Sequence, residues 1–301
     1  MTLTRSSFLH LAGAALLARP ALAQTGARMH IRKIPATGEP LPVIGCGTWQ
    51  TFDVGAAPAE RAPRAEVLKV LFEAGGSAID SSPMYGRAEE VVGDLLAAAG
   101  TRDKAFLATK VWTHGKAEGL LQMEQSFKRL RTDRIDLMQI HNLVDWKTHL
   151  PTLKAWKAEG RIRLIGITHY TESMHDELEA VLQLGGFDFV QVNYALDDRG
   201  IERRLLRFCQ TNGIAMLINQ PFGGGGLLRK LSGRELPDWA TEIGCTSWAQ
   251  ILLKFVLAQP AVTCVIPGTG KPEHMRDNVQ AGLGAYPDRK LLDRMSSDIA
   301  T

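Results

Sequence analysis

Cysteine is scarce in this 301-residue chain: Cys46, Cys209, Cys245 and Cys264 are the only four. No two have C-x-x-C spacing, which argues against a zinc or dithiol motif, and four thiols make no disulfide framework in a chain this long. A run of Lys or Arg that would suit nucleic acid is also missing, and net charge is only +3. The apolar stretch at residues 8–18, interrupted by His10, is too short to cross a bilayer as a stable helix. No low-complexity tract and no second domain are visible. What the chain does have is 45% hydrophobic residues, enough for one large core.

The first residues stand apart from the rest. A positively charged start containing Arg5 is followed by the apolar stretch and then by Ala21-Leu22-Ala23, a small-x-small cleavage pattern. Residues 1–23 are therefore expected to be an export signal peptide, with Gln24 as the new first residue. Cleavage would remove Arg5, Arg19 and no acid, lowering the net charge from +3 to +1. Thr4-Arg5-Ser6-Ser7-Phe8-Leu9 is similar to a twin-arginine signal with Ser6 in place of the second Arg. A periplasmic location is expected, the alternative being a cytoplasmic protein with an Ala-rich extension.

Residues 29–301 read as a single domain. Residues 29–34 and 41–44 flank Thr37-Gly38 and predict a hairpin. Eight strand-like runs follow, at residues 43–45, 77–80, 106–110, 135–141, 164–168, 189–193, 215–219 and 263–267. Between them lie helix-period segments such as 64–73, 116–130, 173–184, 202–210 and 248–257. Strands alternating with helices argue for a parallel sheet, and eight repeats argue for closure into a (β/α)8 TIM barrel with an N-terminal β-hairpin. Long irregular stretches at 48–63 and 221–244 follow strands one and seven and should overhang the same end.

Four polar residues follow these strands: Asp80, Tyr85 five residues on, Lys110 and His141. A carboxylate, a phenol, an ammonium and an imidazole at one end of successive parallel strands would share a pocket, where such barrels keep their chemistry. In order and spacing they resemble the Asp, Tyr, Lys, His tetrad of the aldo/keto reductase family. The resemblance runs from about Gly38 to Asn278. It includes Gly45-Cys46-Gly47-Thr48-Trp49, Thr109-Lys110-Val111-Trp112, Gln191-Val192-Asn193-Tyr194 and Ile266-Pro267-Gly268-Thr269. It implies a barrel plugged below by the hairpin. It also implies NAD(P)H-dependent reduction of an aldehyde or ketone by hydride transfer, with Tyr85 donating the proton. Lys110 would lower the Tyr85 pKa, Asp80 would hold Lys110, and His141 would orient the carbonyl oxygen.

The resemblance assigns the nicotinamide amide to Gln191 and to Thr168-His169, which stand where the family usually has Ser-Asn. Asn219 falls where the family commonly stacks an aromatic on the nicotinamide ring. Gly223 opens a run of four glycines that lets backbone approach a pyrophosphate. Gly268, Thr269, Lys271, Arg276 and Asn278 belong to the adenosine end. Gly268 and His274 replace the Lys and Arg with which NADPH-preferring members grip the 2′-phosphate, so Lys271 and Arg276 are the candidate substitutes. NADPH is the expected cofactor, with NADH possible. Trp49, Trp112 and Asn142 are candidates for the substrate pocket, and His30, His114, His149 and His175 read as surface residues.

A small-molecule carbonyl substrate, no nucleic acid, no metal, no stable membrane span and a monomer or weak oligomer complete the expectations. The alternative is a non-catalytic, regulatory barrel that binds a nicotinamide nucleotide. A metal-dependent lyase on the same barrel would need a His/Asp/Glu cluster at the strand ends, which the sequence does not offer.

Overall fold

A computed structural model describes residues 28–300, so the expected leader, residues 1–23, lies outside the described residues. The chain opens with β1 (Ile31–Lys33) and β2 (Pro40–Pro42), an antiparallel hairpin pairing Arg32 with Leu41. The sheet strands are β3 (Cys46–Gly47), β4 (Ala78–Asp80), β5 (Phe106–Val111), β6 (Ile135–Ile140), β7 (Ile162–His169), β8 (Phe189–Asn193), β9 (Ala215–Asn219) and β10 (Val262–Val265). They pair in chain order and in parallel. Isolated parallel bridges, Ile44 to Val265 and Gly47 to Gly268, join the first strand to the last and close the barrel.

Helices cover the outside. In chain order they are α1 (Pro58–Glu73), α2 (Ala88–Ala99), α3 (Lys116–Arg129), α4 (Trp146–Ala158), α5 (His175–Gln183), α6 (Leu205–Asn212), α7 (Gly226–Lys230), α8 (Trp248–Leu257), α9 (Pro272–Gln280) and α10 (Arg289–Ala300). Their ends follow local chemistry. Pro58 opens α1, where its missing N–H costs nothing. Ser247 Oγ accepts from the Gln250 amide at 3.1 Å and caps α8, and Gly100 ends α2 at φ 62°.

The period of two along each strand sorts the barrel into layers. Ala78, Phe106, Ala108, Leu137, Leu164, Phe189, Ala215, Leu217, Cys264 and Ile266 form one buried cluster inside the barrel. Ile34 and Leu41 of the hairpin region belong to the same cluster, each 1% exposed. The hairpin therefore plugs the end where the strands begin. One further step of two residues along the same face gives Asp80, Lys110, Gln139, Gln191 and Asn219, and on β7, where Gly166 intervenes, a second step from Leu164 gives Thr168. The interior changes from hydrocarbon to polar within a single layer.

Candidate active site

This polar layer floors a cleft of about 780 Å³ at the carboxyl ends of the strands. Lys110 is fully buried, and its Nζ donates to Asp80 Oδ2 at 2.7 Å and to the Ser81 carbonyl at 2.8 Å. The same ammonium lies 4.9 Å from the centre of the Tyr85 ring. Tyr85 and His141 face each other edge-on, ring centres 6.1 Å apart. Asp80 Oδ1 accepts two amide N–H groups, from Gln139 Nε2 at 3.0 Å and Gln191 Nε2 at 2.9 Å. Thr48 donates to the Asp80 carbonyl at 3.0 Å, and Ser82 Oγ lies 3.3 Å from His141 Nδ1.

Charge in this layer is set by burial against a few partners. Burial opposes the Lys110 ammonium, but the charge of Asp80 and the Tyr85 phenol outweigh it and raise its pKa. The Tyr85 pKa is raised, first by burial, with Lys110 pulling the other way and Asp80 adding to the rise. This differs from the lowered phenol expected from sequence, because burial, helped by Asp80, outweighs the single cation. His141 is lowered to about 3 by burial, then by Lys110 and His169, so its imidazole is neutral. A neutral imidazole and a protonated phenol beside a fixed ammonium can both hydrogen-bond a carbonyl oxygen, and the phenol can pass it a proton.

The cleft gathers most of the expected residues. Trp49, Trp112, Asn142, Thr168, Gln191, Asn219, Gly268, Thr269 and Asn278 line it with Asp80, Tyr85 and His141. Lys110 lies beneath it. His169 does not line it: strand alternation turns its ring outward from Thr168, and it stacks on Tyr170 at 5.8 Å and 12°. Gly223 also sits outside, with an added Cβ falling 2.5 Å from Asp197 Oδ2; the lining glycines of that run are Gly224 and Gly225. Arg276 is drawn to α1, where it pairs with Glu66 at 2.7 Å, and neither it nor Lys271 lines the cleft. His274 and Asp277 do.

Other residues were not expected. Gln139 is fully buried beside Asp80, and the sequence signal that could have found it is the alternation Leu137, Gln139, His141. Met84 and Tyr170 add apolar rim to the cleft; they are 40% and 54% exposed, and Trp49 and Trp112 beside them are 52% and 41% exposed. His149 and His175 correct the surface reading. His149 is 1% exposed with Nε2 2.7 Å from the Thr113 carbonyl, and His175 is 9% exposed at the start of α5.

A nicotinamide nucleotide fits what the cleft offers. Asn142 Oδ1 and Asn219 Oδ1 are buried, line the cleft and have no partner. Gly224 and Gly225, at φ 61° and 85°, present bare backbone on one side, and Gly47 and Gly268 do so across the barrel seam. A buried orphan acceptor is costly unless a ligand satisfies it. Among the described residues, no group of three or more His, Cys, Asp or Glu could hold a metal ion.

Comparison with known proteins gives the family. The profile of the aldo/keto reductase family matches residues 43–291. The methylglyoxal reductase YeaE of Escherichia coli is 31% identical over 248 residues, covering 79% of this chain and 84% of that one. An NADH-specific methylglyoxal reductase of the same organism is 25% identical, covering 83% and 93%. Among solved structures, an aldo/keto reductase from Klebsiella pneumoniae in complex with NADP and acetate superposes with a TM-score of 0.74 at 29% identity, covering 86% of this chain and 93% of that one. The chain belongs to the aldo/keto reductase family and is an NAD(P)H-dependent oxidoreductase of aldehydes and ketones.

Proposed function

We propose that Tyr85 is the proton donor of this reductase, with His141 holding the carbonyl oxygen and the Lys110–Asp80 pair fixing the charge beneath the phenol. The observation that carries this reading is the Lys110 ammonium, 2.7 Å from Asp80 and 4.9 Å from the Tyr85 ring centre. NADPH, or NADH, supplies hydride when bound. Hydride at the carbonyl carbon leaves negative charge on oxygen, and Tyr85 gives that oxygen its proton. The resulting tyrosinate rests beside Lys110 until solvent reprotonates it. Neutral His141 donates one N–H to the same oxygen without competing as an acid. Thr168, Gln191 and Asn219 would hold the nicotinamide end, and Gly268, Thr269 and Asn278 the adenosine end.

The test is a paired titration on residues 24–301. NADPH and NADH are added with fluorescence quenching as the readout, and turnover is then assayed on methylglyoxal, for which an E. coli relative is named, and on aryl aldehydes suited to the aromatic rim. Saturable cofactor binding in both wild type and Tyr85→Phe, with turnover in wild type alone, supports the assignment. NADPH is the expected preference. A ratio near unity would mean that Lys271 and Arg276 do not replace the cations absent at Gly268 and His274.

The same reading makes residues 1–23 a cleaved leader that sends the folded barrel to the periplasm. A fusion of residues 1–30 to a folded reporter should be exported. Retention in the cytoplasm would sink that part and leave the enzyme assignment standing. A closed barrel presents no strand edge for pairing, which suits a monomer or weak oligomer.

A further inference from the structure

We propose that Gln139 is a positioning residue of the reaction: its amide N–H holds Asp80 Oδ1, so that the Asp80–Lys110 pair stays set against Tyr85 independently of Gln191. This rests on the assignment of Tyr85 as proton donor. Asp80 has two carboxylate oxygens and three donors. Oδ2 takes Lys110 at 2.7 Å, and Oδ1 takes Gln139 at 3.0 Å and Gln191 at 2.9 Å. Gln191 lines the cleft, where the nicotinamide amide would compete for it. Gln139 does not line the cleft and is fully buried. It is the one amide donor to Asp80 that no ligand can draw away.

The surroundings show that the position is built for this side chain. Gln139 sits one step of two residues above Leu137, in a register where the layer below is entirely apolar. An apolar residue there would pack without a polar atom to satisfy. Gln139 instead leaves its Oε1 buried with no partner. A lone N–H bond to a carboxylate is the one return for that cost. Room for the side chain comes from β7: a Cβ added at Gly166 would lie 2.8 Å from Gln139 Cγ. A larger residue at 166 would push the amide away from Asp80.

The consequence runs through charge. The titratable groups facing Tyr85 are Asp80 from β4, Lys110 from β5 and His141 after β6, with His141 neutral. Asp53 lies near the same turn, where it accepts the Arg87 amide at 2.9 Å. Two N–H groups on Oδ1 disperse the Asp80 charge. Losing one of them concentrates that charge on Lys110 and on the phenol. Tyr85 then gives up its proton less readily, and the Asp80 carboxylate, held by one amide fewer, can turn and carry Lys110 with it.

The experiment compares wild type with Gln139→Met, a near-isosteric change without the donor. Melting temperature, NADPH affinity by fluorescence and the pH profile of kcat are measured on each. The expected result is a kcat about tenfold lower at neutral pH, with the alkaline limb moved up by roughly half to one pH unit. NADPH affinity should stay within about twofold, since Gln139 does not reach the cleft. An alkaline limb that stays in place, whether kcat is unchanged or falls only with the folded fraction, would make Gln139 a packing residue and overturn the proposal. Should Gln139→Met not fold, Gly166→Ala displaces the amide from the other side and must move the limb in the same direction, by less; an unmoved limb there overturns the proposal equally. Failure of the Tyr85 assignment is seen separately, as turnover that persists in Tyr85→Phe.

Discussion

The two ends of this barrel are made from the same strands and behave as opposites. Where the strands begin, Phe106, Leu137, Leu164 and Phe189 close over Ile34 and Leu41 of the hairpin in a dry cluster. Arg163 and Glu39 pair at its rim with solvent access, and Arg163 also reaches Asp136, a buried carboxylate outside the barrel interior. Where the strands finish, the charge is inside: Lys110 is 0% and Asp80 4% exposed in their side chains. The apolar groups there, Trp49, Met84, Trp112 and Tyr170, stand at the surface. One end keeps hydrocarbon in and charge out, and the other inverts the arrangement. A buried ion pair contributes little to stability, because desolvation offsets its attraction. The upper end is therefore held in shape by the lower one and is free to specialise in chemistry.

That contrast can be broken from either side. Tyr85→Phe should separate function from fold most sharply, lowering turnover by about two to four powers of ten while leaving cofactor binding in place. An unchanged rate removes Tyr85 from its role. Leu41→Ala attacks the other end: denaturant unfolding should show a loss of about 2–5 kcal/mol, with kcat and cofactor affinity of the folded protein unchanged. A comparable loss of kcat would mean that the two ends are mechanically coupled.

The smallest effect concerns acid. His141 is held neutral in the folded protein down to about pH 3, whereas in the unfolded chain it takes a proton near its ordinary pKa of about 6.5. Between those values the unfolded state binds more protons, so stability falls as pH drops. From pH 7 to pH 5 this one group should account for about 2 kcal/mol. His141→Gln should flatten the acid side of the stability profile by that amount. An identical slope in both proteins would mean that the imidazole is solvated.

Much of this architecture was legible in the sequence because it rests on local rules. Eight apolar runs and their helices predicted the barrel. Asp80, Tyr85, Lys110 and His141 were visible as polar residues beside strand ends. The first and last strands were less well placed: residues 43–45 and 263–267 were expected, whereas the regular pairing is Cys46–Gly47 and Val262–Val265. At that seam the pairing is reduced to isolated bridges, which leave little pattern in the chain. Helices α2, α7 and α10 were not picked out. The side chains missed or misplaced depend on partners distant in sequence. Arg276 is claimed by Glu66, 210 residues away, and Gln139 by Asp80, 59 residues away. His169 was placed by likeness to a family motif, while alternation along β7 turns it away from Thr168.

The seam has a thermodynamic meaning. Gly47 and Thr48 line the cleft from the first strand, and Gly268 and Thr269 line it from the segment after the last. A nucleotide touching both sides can bind only the closed ring, so its binding energy is also folding energy. At a hundred times its dissociation constant it would add about 2.7 kcal/mol to the stability of the barrel. Without the nucleotide the ring would lack that increment and would open more readily.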